Sequence, residues 1–90
     1  MPRKRKISKT ELGDIDLFDI GLRIMTLRKK AGLKQEDLAK IFKIPQNTIS
    51  RVETGKANTN YFFEVLYKVC RKFNVSLDWL VFGNDNKNKH

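Results

Sequence analysis

The stretch QEDLAKIFKIPQNTISRVETG, residues 35–55, reads as two short helices separated by the tripeptide KIP. Apolar residues in its first half recur at helical spacing and predict one buried face. The second half is thinly apolar, because only Ile49 and Val52 are placed to face a core. Two helices joined by so tight a turn cross steeply. The second helix is therefore expected to display hydrogen-bonding side chains to the outside.

Three further helices are predicted around this pair. The first runs from Leu17 to Ala31, with Asp16 as its N-cap and Gly32 as its left-handed stop. The pair itself covers residues 35–42 and 46–54, and the other two helices cover residues 61–73 and 77–82. No segment alternates with period two for long enough to form a strand. The predicted fold class is therefore all-α, a compact bundle of five short helices.

The chain has 90 residues and a formal net charge of +9. A chain of this length has room for one core, so a single domain is expected, at residues 14–83. The excess of Lys and Arg favours an acidic partner such as nucleic acid or an anionic membrane, although a charged surface can also serve solubility alone. No apolar run approaches the ~20 residues of a membrane span. The basic residues also do not form one face of a long amphipathic helix, so we expect no membrane partner.

Both ends of the chain are polar. Residues 1–13, MPRKRKISKTELG, are expected to form a flexible basic arm, and residues 84–90 a polar tail. The arm suits contact with DNA, a solubilising role or a nuclear-localisation-like signal, and its composition does not separate these. No apolar segment follows it, so it is not a secretory signal.

The sequence offers no catalytic constellation. Its single cysteine, Cys70, lies in an apolar pattern and is expected to be a buried small side chain, in keeping with a reducing, cytoplasmic setting. The lone His90 stands in the polar tail. Without a cluster of metal ligands, a nucleophile paired with a histidine or a phosphate loop, we expect no enzyme activity, no cofactor and no metal.

At this point the sequence resembles the lambda-repressor-like (Cro/Xre-type) helix-turn-helix DNA-binding family, over roughly residues 17–83. The likeness rests on IGLRIMTLRKKAGLKQEDLAKIFKIPQNTISRVETGK and on FNVSLDWLVFG. The residues at the family's spacing are Gln35, Leu38, Ala39, Ile44, Ile49, Ser50, Glu53 and Gly55. In such a motif the first helix crosses the DNA backbone, and the second enters the major groove. The resemblance implies a sequence-specific transcriptional regulator, expected to be a bacterial or phage repressor.

The resemblance also implies roles for individual residues. Gln46, Asn47 and Arg51 match the base-reading positions, where Gln and Asn pair with adenine and Arg with guanine. Gln35 is expected to bind a phosphate through its side chain and its backbone N–H, assisted by the helix dipole. The other residues expected at the DNA backbone are Lys34, Lys43, Thr48, Ser50, Lys56, Asn58 and, as a second role, Arg28.

Family members pair the positions of Arg28 and Glu53 in a partly buried ion pair that ties the first helix to the third, so Arg28 is expected to be mainly structural. The chain departs from the family at two positions. Lys43 stands where the turn usually has glycine, and lysine adopts the required positive φ at roughly 1 kcal/mol of strain. Lys34 stands where Ser or Thr usually precedes the second helix, which loses a cap worth ~1 kcal/mol.

One domain of this kind touches few base pairs, so a homodimer on a palindromic double-stranded DNA operator is expected. The fifth helix has more apolar residues than one face can bury, and Trp79, Val81 and Phe82 are predicted to form the dimer interface. The aromatic residues expected in the core are Tyr61, Phe62, Phe63, Tyr67 and Phe73. The alternative function is an antitoxin-type protein-interaction module with autoregulatory DNA binding and a protein partner.

Overall fold

The computed structural model describes residues 15–56 and 61–83. Its helices are α1 (Leu17–Lys30), α2 (Gln35–Phe42), α3 (Gln46–Glu53), α4 (Phe62–Phe73) and α5 (Leu77–Phe82). No strand occurs in these two ranges, which confirms the predicted all-α class. Predicted and observed helix ends differ by a residue at most. The predicted arm at residues 1–13, the tail at 84–90 and Asn58 lie outside the described residues.

Helix α1 begins where the sequence predicts and ends one residue earlier, at Lys30. The side chain of Asp16 caps it, with Oδ1 accepting the backbone N–H of Phe18 at 3.0 Å. Gly32 follows its end with a φ of 76°, a conformation that glycine adopts without strain. Because both signals are local, they are legible before any tertiary structure is known.

Helix α2 begins with a cap that the sequence analysis missed. Lys34 supplies no side-chain acceptor, but its backbone N–H donates to Asp37 Oδ2 at 2.8 Å. This bond is half of a capping box and replaces part of the lost Ser or Thr cap. The helix ends at Lys43, whose φ of 59° confirms the predicted left-handed turn. Ile44 then turns inward and is buried.

One hydrophobic core joins all five helices. Its buried members are Ile20, Ile24, Leu38, Ala39, Phe42, Ile44, Ile49, Val52, Val65, Leu66, Val69 and Leu80. Gly21 lets α1 cross the C-terminal end of α3 closely, because a Cβ at this position would overlap the backbone carbonyl of Glu53 and lie 2.6 Å from Val52 O. The close crossing fixes α3 against α1.

The aromatic residues near and within α4 do not all enter the core, so that prediction was wrong in part. Phe62 and Phe73 pack half-buried against the core. Tyr61, Phe63 and Tyr67 are exposed, at 40%, 78% and 59%. A helix on the surface of a small domain buries one stripe, and in α4 the aliphatic side chains of Val65, Leu66 and Val69 occupy it.

The residues predicted for the dimer interface lie on α5 and are partly buried. Trp79, Val81 and Phe82 are all half-buried, and Trp79 and Val81 pack against the core. Helix α5 is held to α1 by Arg23, whose Nη1 donates to Leu80 O at 2.8 Å and to Val81 O at 3.2 Å. These bonds hold the backbone of α5, and since each of the three side chains keeps part of its surface accessible, their role at a dimer interface stays a prediction.

Candidate nucleic-acid interface

Helix α3 has one buried side and one side that faces solvent. Ile49 and Val52 are almost completely buried, which fixes the rotation of the helix about its own axis. Gln46 and Asn47, in its first turn, are exposed, and Arg51 is half-exposed one turn later. The three predicted base-reading residues therefore lie on the side of α3 away from the core, at positions that the helical repeat brings together.

The start of α3 is set by Pro45. Its φ of −56° and ψ of 142° place it at the N-cap without a side-chain hydrogen bond, and its carbonyl accepts the N–H of Thr48 at 3.0 Å. The first turn of any helix leaves N–H groups without intrahelical partners. Gln46 and Asn47 occupy the first turn of α3, and a helix N-terminus favours an anion.

A buried ion pair ties α3 to α1. Arg28 Nε lies 2.7 Å from Glu53 Oε2, and Arg28 Nη2 donates to Glu53 Oε1 at 3.0 Å. Arg28 Nη1 donates to Leu33 O at 2.9 Å. Arg28 is 7% exposed and Glu53 is 1% exposed. With its guanidinium engaged on both edges inside the protein, Arg28 is withdrawn as a phosphate contact.

Glu53 also positions the predicted phosphate ligand. Gln35 Nε2 donates to Glu53 Oε1 at 3.0 Å, so a single carboxylate holds both Arg28 and Gln35. The bond keeps the Gln35 side chain next to the start of α2 and in contact with α3. Sequence analysis missed this link, since two residues 18 positions apart carry no local signal of their contact.

The other residues predicted to contact the DNA backbone differ in solvent exposure. Lys34, Lys43 and Lys56 are exposed, and Ser50 is half-buried. Thr48 is 7% exposed. So little of its surface is accessible to a phosphate that the predicted contact of Thr48 is not carried into the proposed function.

The three exposed lysines lie at the ends of α2 and α3. Lys34 precedes α2, Lys43 occupies the turn between α2 and α3, and Lys56 follows α3. The backbone N–H of Lys56 donates to Arg51 O at 2.8 Å, after a turn at Gly55 whose φ is 86°. The three lysines therefore place exposed positive charge at the ends of α2 and α3, and a phosphate backbone is bound by such charge.

A further lysine stabilises the turn from the other side. Lys68 Nζ donates to Phe42 O at 2.6 Å and lies 2.7 Å from Glu64 Oε2. Read from the sequence, Glu64 and Lys68 are an ordinary surface pair at i and i+4. In the fold, Lys68 also binds a carbonyl at the end of α2, where cations are favourable.

Other kinds of site find no support in the described ranges. Among these residues, no three His, Cys, Asp or Glu side chains are grouped closely enough to hold a metal ion. No helix within residues 15–56 and 61–83 is long and apolar enough to cross a membrane.

Comparison with known proteins identifies relatives of this domain. A family model described as helix-turn-helix, of the Cro/Xre-like type, matches residues 24–80, which confirms the resemblance inferred from the sequence. The chain is 35% identical over 65 residues to an uncharacterized HTH-type transcriptional regulator of Archaeoglobus fulgidus, a match that covers 72% of this chain and 90% of that protein.

A second relative is longer. The chain is 40% identical over 57 residues to the antitoxin PezA of Streptococcus pneumoniae serotype 4, over 63% of this chain and 35% of PezA. This match therefore spans about a third of PezA. Among solved structures, the restriction-modification controller protein C.AhdI of Aeromonas hydrophila matches with a TM-score of 0.59 and 28% identity, over 72% of this chain and 96% of that chain.

Proposed function

We propose, from the premise that this chain belongs to the Cro/Xre-like helix-turn-helix family, that it is a sequence-specific DNA-binding transcriptional regulator. The observation that carries the proposal is the division of α3 into two sides. Ile49 and Val52 hold it to the core, whereas Gln46 and Asn47 extend into solvent. Such a helix is rigidly positioned and has hydrogen-bonding side chains available for a partner.

In the proposed mechanism, α3 enters the major groove. Gln46 and Asn47 each offer an amide that can donate and accept, the pattern that adenine presents through N6 and N7. Arg51 offers paired donors to guanine O6 and N7. Each bidentate contact contributes about 1–3 kcal/mol of discrimination against a wrong base.

The residues around α3 bind phosphates in this proposal and set its register on the duplex. Gln35 contributes its backbone N–H at the start of α2 and a carboxamide that Glu53 holds in place. Lys34, Lys43 and Lys56 contribute charge. Ser50 and the first turn of α3 supply neutral donors, and Asn58, outside the described residues, is carried over from the sequence prediction.

We further propose that two copies of the chain bind a palindromic operator and that bound protein represses transcription by occupying it. A twofold dimer presents two α3 helices to half-sites about one helical turn apart. The proposal places the protein in the cytoplasm of a bacterial or phage-infected cell, where such operators are found.

Selection of bound duplexes from a random DNA library tests this proposal. We expect one enriched motif, arranged as an inverted repeat, with affinity at least ~10³-fold above that for scrambled DNA at physiological salt. Bound duplexes that share no positional motif would contradict sequence-specific binding. A single half-site without its inverted copy would contradict the proposed operator geometry.

The identity to PezA supports a second candidate, an antitoxin-type module that binds a protein partner and regulates its own gene. Co-expression with the product of the adjacent gene separates the two candidates. A stable complex of fixed stoichiometry, with growth arrest when the neighbour is expressed alone, would favour the antitoxin. Absence of a complex, with DNA selectivity intact, would favour the regulator acting alone.

A further inference from the structure

One side chain of α4 reaches the turn that leads into α3. Lys68 Nζ donates to Phe42 O at 2.6 Å, across 26 positions of the sequence. Phe42 is the last residue of α2, and the carbonyls in the last turn of a helix have no partner within that helix. Lys68 therefore supplies a partner that α2 cannot provide for itself, and it ties the end of α2 to α4.

A second bond holds the ammonium group of Lys68 in place. Glu64 lies one turn earlier on α4, with its Oε2 2.7 Å from Lys68 Nζ, and the Lys68 side chain is 30% exposed. A lysine ammonium on its flexible stem samples many positions when it is free, and a carboxylate four residues earlier on the same helix restricts it. The ammonium is thus held between a carboxylate and a carbonyl and does not extend freely into solvent.

The turn after α2 does not need this bond in order to form. Residues 73–77 make a turn of the same kind, in which Asn74 has a φ of 56° where Lys43 has 59°. In both turns the next residue donates its N–H to the carbonyl five positions back, at 3.0 Å and 3.1 Å. Yet among the described residues no side chain donates to Phe73 O. The bond from Lys68 therefore adds a constraint beyond the turn itself.

That constraint acts on the end of α3 that other contacts leave farthest away. Glu53, the last residue of α3, is paired with Arg28 of α1. Since α3 has eight residues, its first turn, with Gln46 and Asn47, begins about 10 Å from that pair. Only three residues separate the end of α2 from Gln46, so a displacement of Phe42 moves the start of α3 as well.

We infer that Lys68 is a positioning residue for the base contacts of the proposed function. By holding the carbonyl of Phe42, it fixes where α3 begins relative to the rest of the domain, and Glu64 supports it by holding Nζ. The inference rests on the proposed binding of DNA, and it assigns Lys68 no contact with DNA. Its charge acts on a carbonyl within the protein, whereas the exposed lysines at the ends of α2 and α3 act on phosphates.

Fluorescence anisotropy of Lys68→Met on the selected operator half-site and on scrambled DNA tests this role. The substitution keeps the length of the side chain and removes both bonds. Affinity for the half-site should fall at least about fivefold, the low end of what one bidentate base contact contributes. Affinity for scrambled DNA should change by less than about twofold, with an unchanged salt slope, because no phosphate contact is lost. Lys68→Arg, which keeps the charge and the donors, should restore half-site affinity.

Lys72→Met is the matched control. Lys72 is an exposed cation one turn further along α4, and its Nζ lies 5.6 Å from the centroid of the Phe73 ring. The variant loses the same charge from the same helix without breaking a bond to the turn. It should leave both affinities and the salt slope unchanged, and thermal unfolding should confirm that all variants are folded.

Amide hydrogen exchange follows the turn in the absence of DNA. The N–H of Ile44 donates to Ala39 O, and the N–H of Val75 makes the equivalent bond to Cys70 O. In Lys68→Met the exchange of Ile44 should quicken at least about fivefold, as expected for local opening of the turn. The exchange of Val75 should stay unchanged, so it serves as an internal control within the same molecule.

The positioning role is overturned if exchange at Ile44 does not respond to Lys68→Met, or if it responds while half-site affinity stays the same. Equal losses on both duplexes, with a salt slope lowered by about 0.9, would overturn it by making Lys68 a phosphate ligand. A library selection without any motif would contradict the proposed function. In that case the comparison of Ile44 with Val75 still decides whether Lys68 holds the turn.

Discussion

The segments FKIPQ, residues 42–46, and FNVSL, residues 73–77, make the same turn. Each begins at the last residue of a helix, passes through a left-handed residue, buries or half-buries an aliphatic side chain and starts the next helix. Lys43 has φ 59° and ψ 46°, and Asn74 has φ 56° and ψ 48°. The chain therefore contains two helix-turn-helix units with matching turns, α2–α3 and α4–α5.

Both units also fix their second helix to α1 through an arginine. Arg28 binds the Glu53 carboxylate at the end of α3, and Arg23 binds the carbonyls of Leu80 and Val81 at the end of α5. An arginine of α1 thus holds each helix, by a carboxylate in α3 and by backbone carbonyls in α5. What differs is the surface that each unit leaves exposed.

In the first unit that surface is polar, with Gln46 and Asn47 leading α3. In the second it is apolar, with Leu77 leading α5 beside Phe63 and Tyr67 of α4. The comparison teaches that the turn determines how two helices cross, whereas the outward side chains determine the partner. In the proposed function the first surface binds DNA.

The largest effect is expected from Glu53→Ala, which leaves the buried Arg28 without its carboxylate. Stranding one member of a buried pair costs about 3–5 kcal/mol, measured as the free energy of unfolding in a urea titration. Glu64→Ala, which breaks a partly exposed pair with Lys68, should cost about 0.5 kcal/mol or less. Equal losses in the two variants would contradict the structural role of Glu53.

A double substitution sharpens this result. Replacing Arg28 and Glu53 together by methionine removes both charges, and such apolar replacements are often neutral or stabilising. We therefore expect the Arg28→Met/Glu53→Met protein to recover most of the stability lost in Glu53→Ala. If the double variant does not recover this stability, the loss in Glu53→Ala comes mainly from broken hydrogen bonds, such as that from Gln35 to Glu53, and less from the unpaired charge of Arg28.

The next largest effect separates the two units by function. Gln46 and Leu77 are the first residues of α3 and α5. Gln46→Ala should weaken binding to the selected operator half-site by about 1–3 kcal/mol, with little change on scrambled DNA. Leu77→Ala should leave affinity for a single half-site unchanged. Fluorescence anisotropy on both duplexes measures this, and a parallel loss on operator and scrambled DNA would contradict a base contact by Gln46.

A smaller effect compares the two left-handed residues. Lysine in this conformation is strained by roughly 1–2 kcal/mol, whereas asparagine visits it routinely. Lys43→Gly should therefore stabilise the fold by about 0.5–1 kcal/mol after allowing for the entropy of glycine, and Asn74→Gly should change it less. Chemical denaturation of both variants gives the difference, and a larger gain at Asn74 would show that the turns are not equivalent.

The smallest expected effect is at Lys56. If Lys56 neutralises one phosphate, Lys56→Ala should lower the slope of log affinity against log salt by about 0.9 and weaken operator and scrambled DNA alike. Lys29→Ala is a control on the exposed end of α1. A loss restricted to the operator would instead assign Lys56 a base contact.

Local sequence signals determined the helices and the turn. Asp16, Gly32 and Ser76 cap or end helices through contacts within a few residues, so their roles can be predicted from the chain alone. The same holds for the inward placement of Ile49 and Val52, because helical periodicity fixes which residues share a side. The left-handed conformation of Lys43 was expected from the family resemblance alone.

Only the tertiary structure decided which side chains are buried or hydrogen-bonded within the protein. Arg28 and Thr48 look available to DNA in the sequence but are buried, and Gln35 is held by a carboxylate from another helix. Phe63 and Tyr67 have the composition of core residues, yet they stay exposed because aliphatic neighbours fill the one stripe that α4 can bury. Periodicity gives the relative angle of residues on a helix, while their contacts depend on how the helices cross.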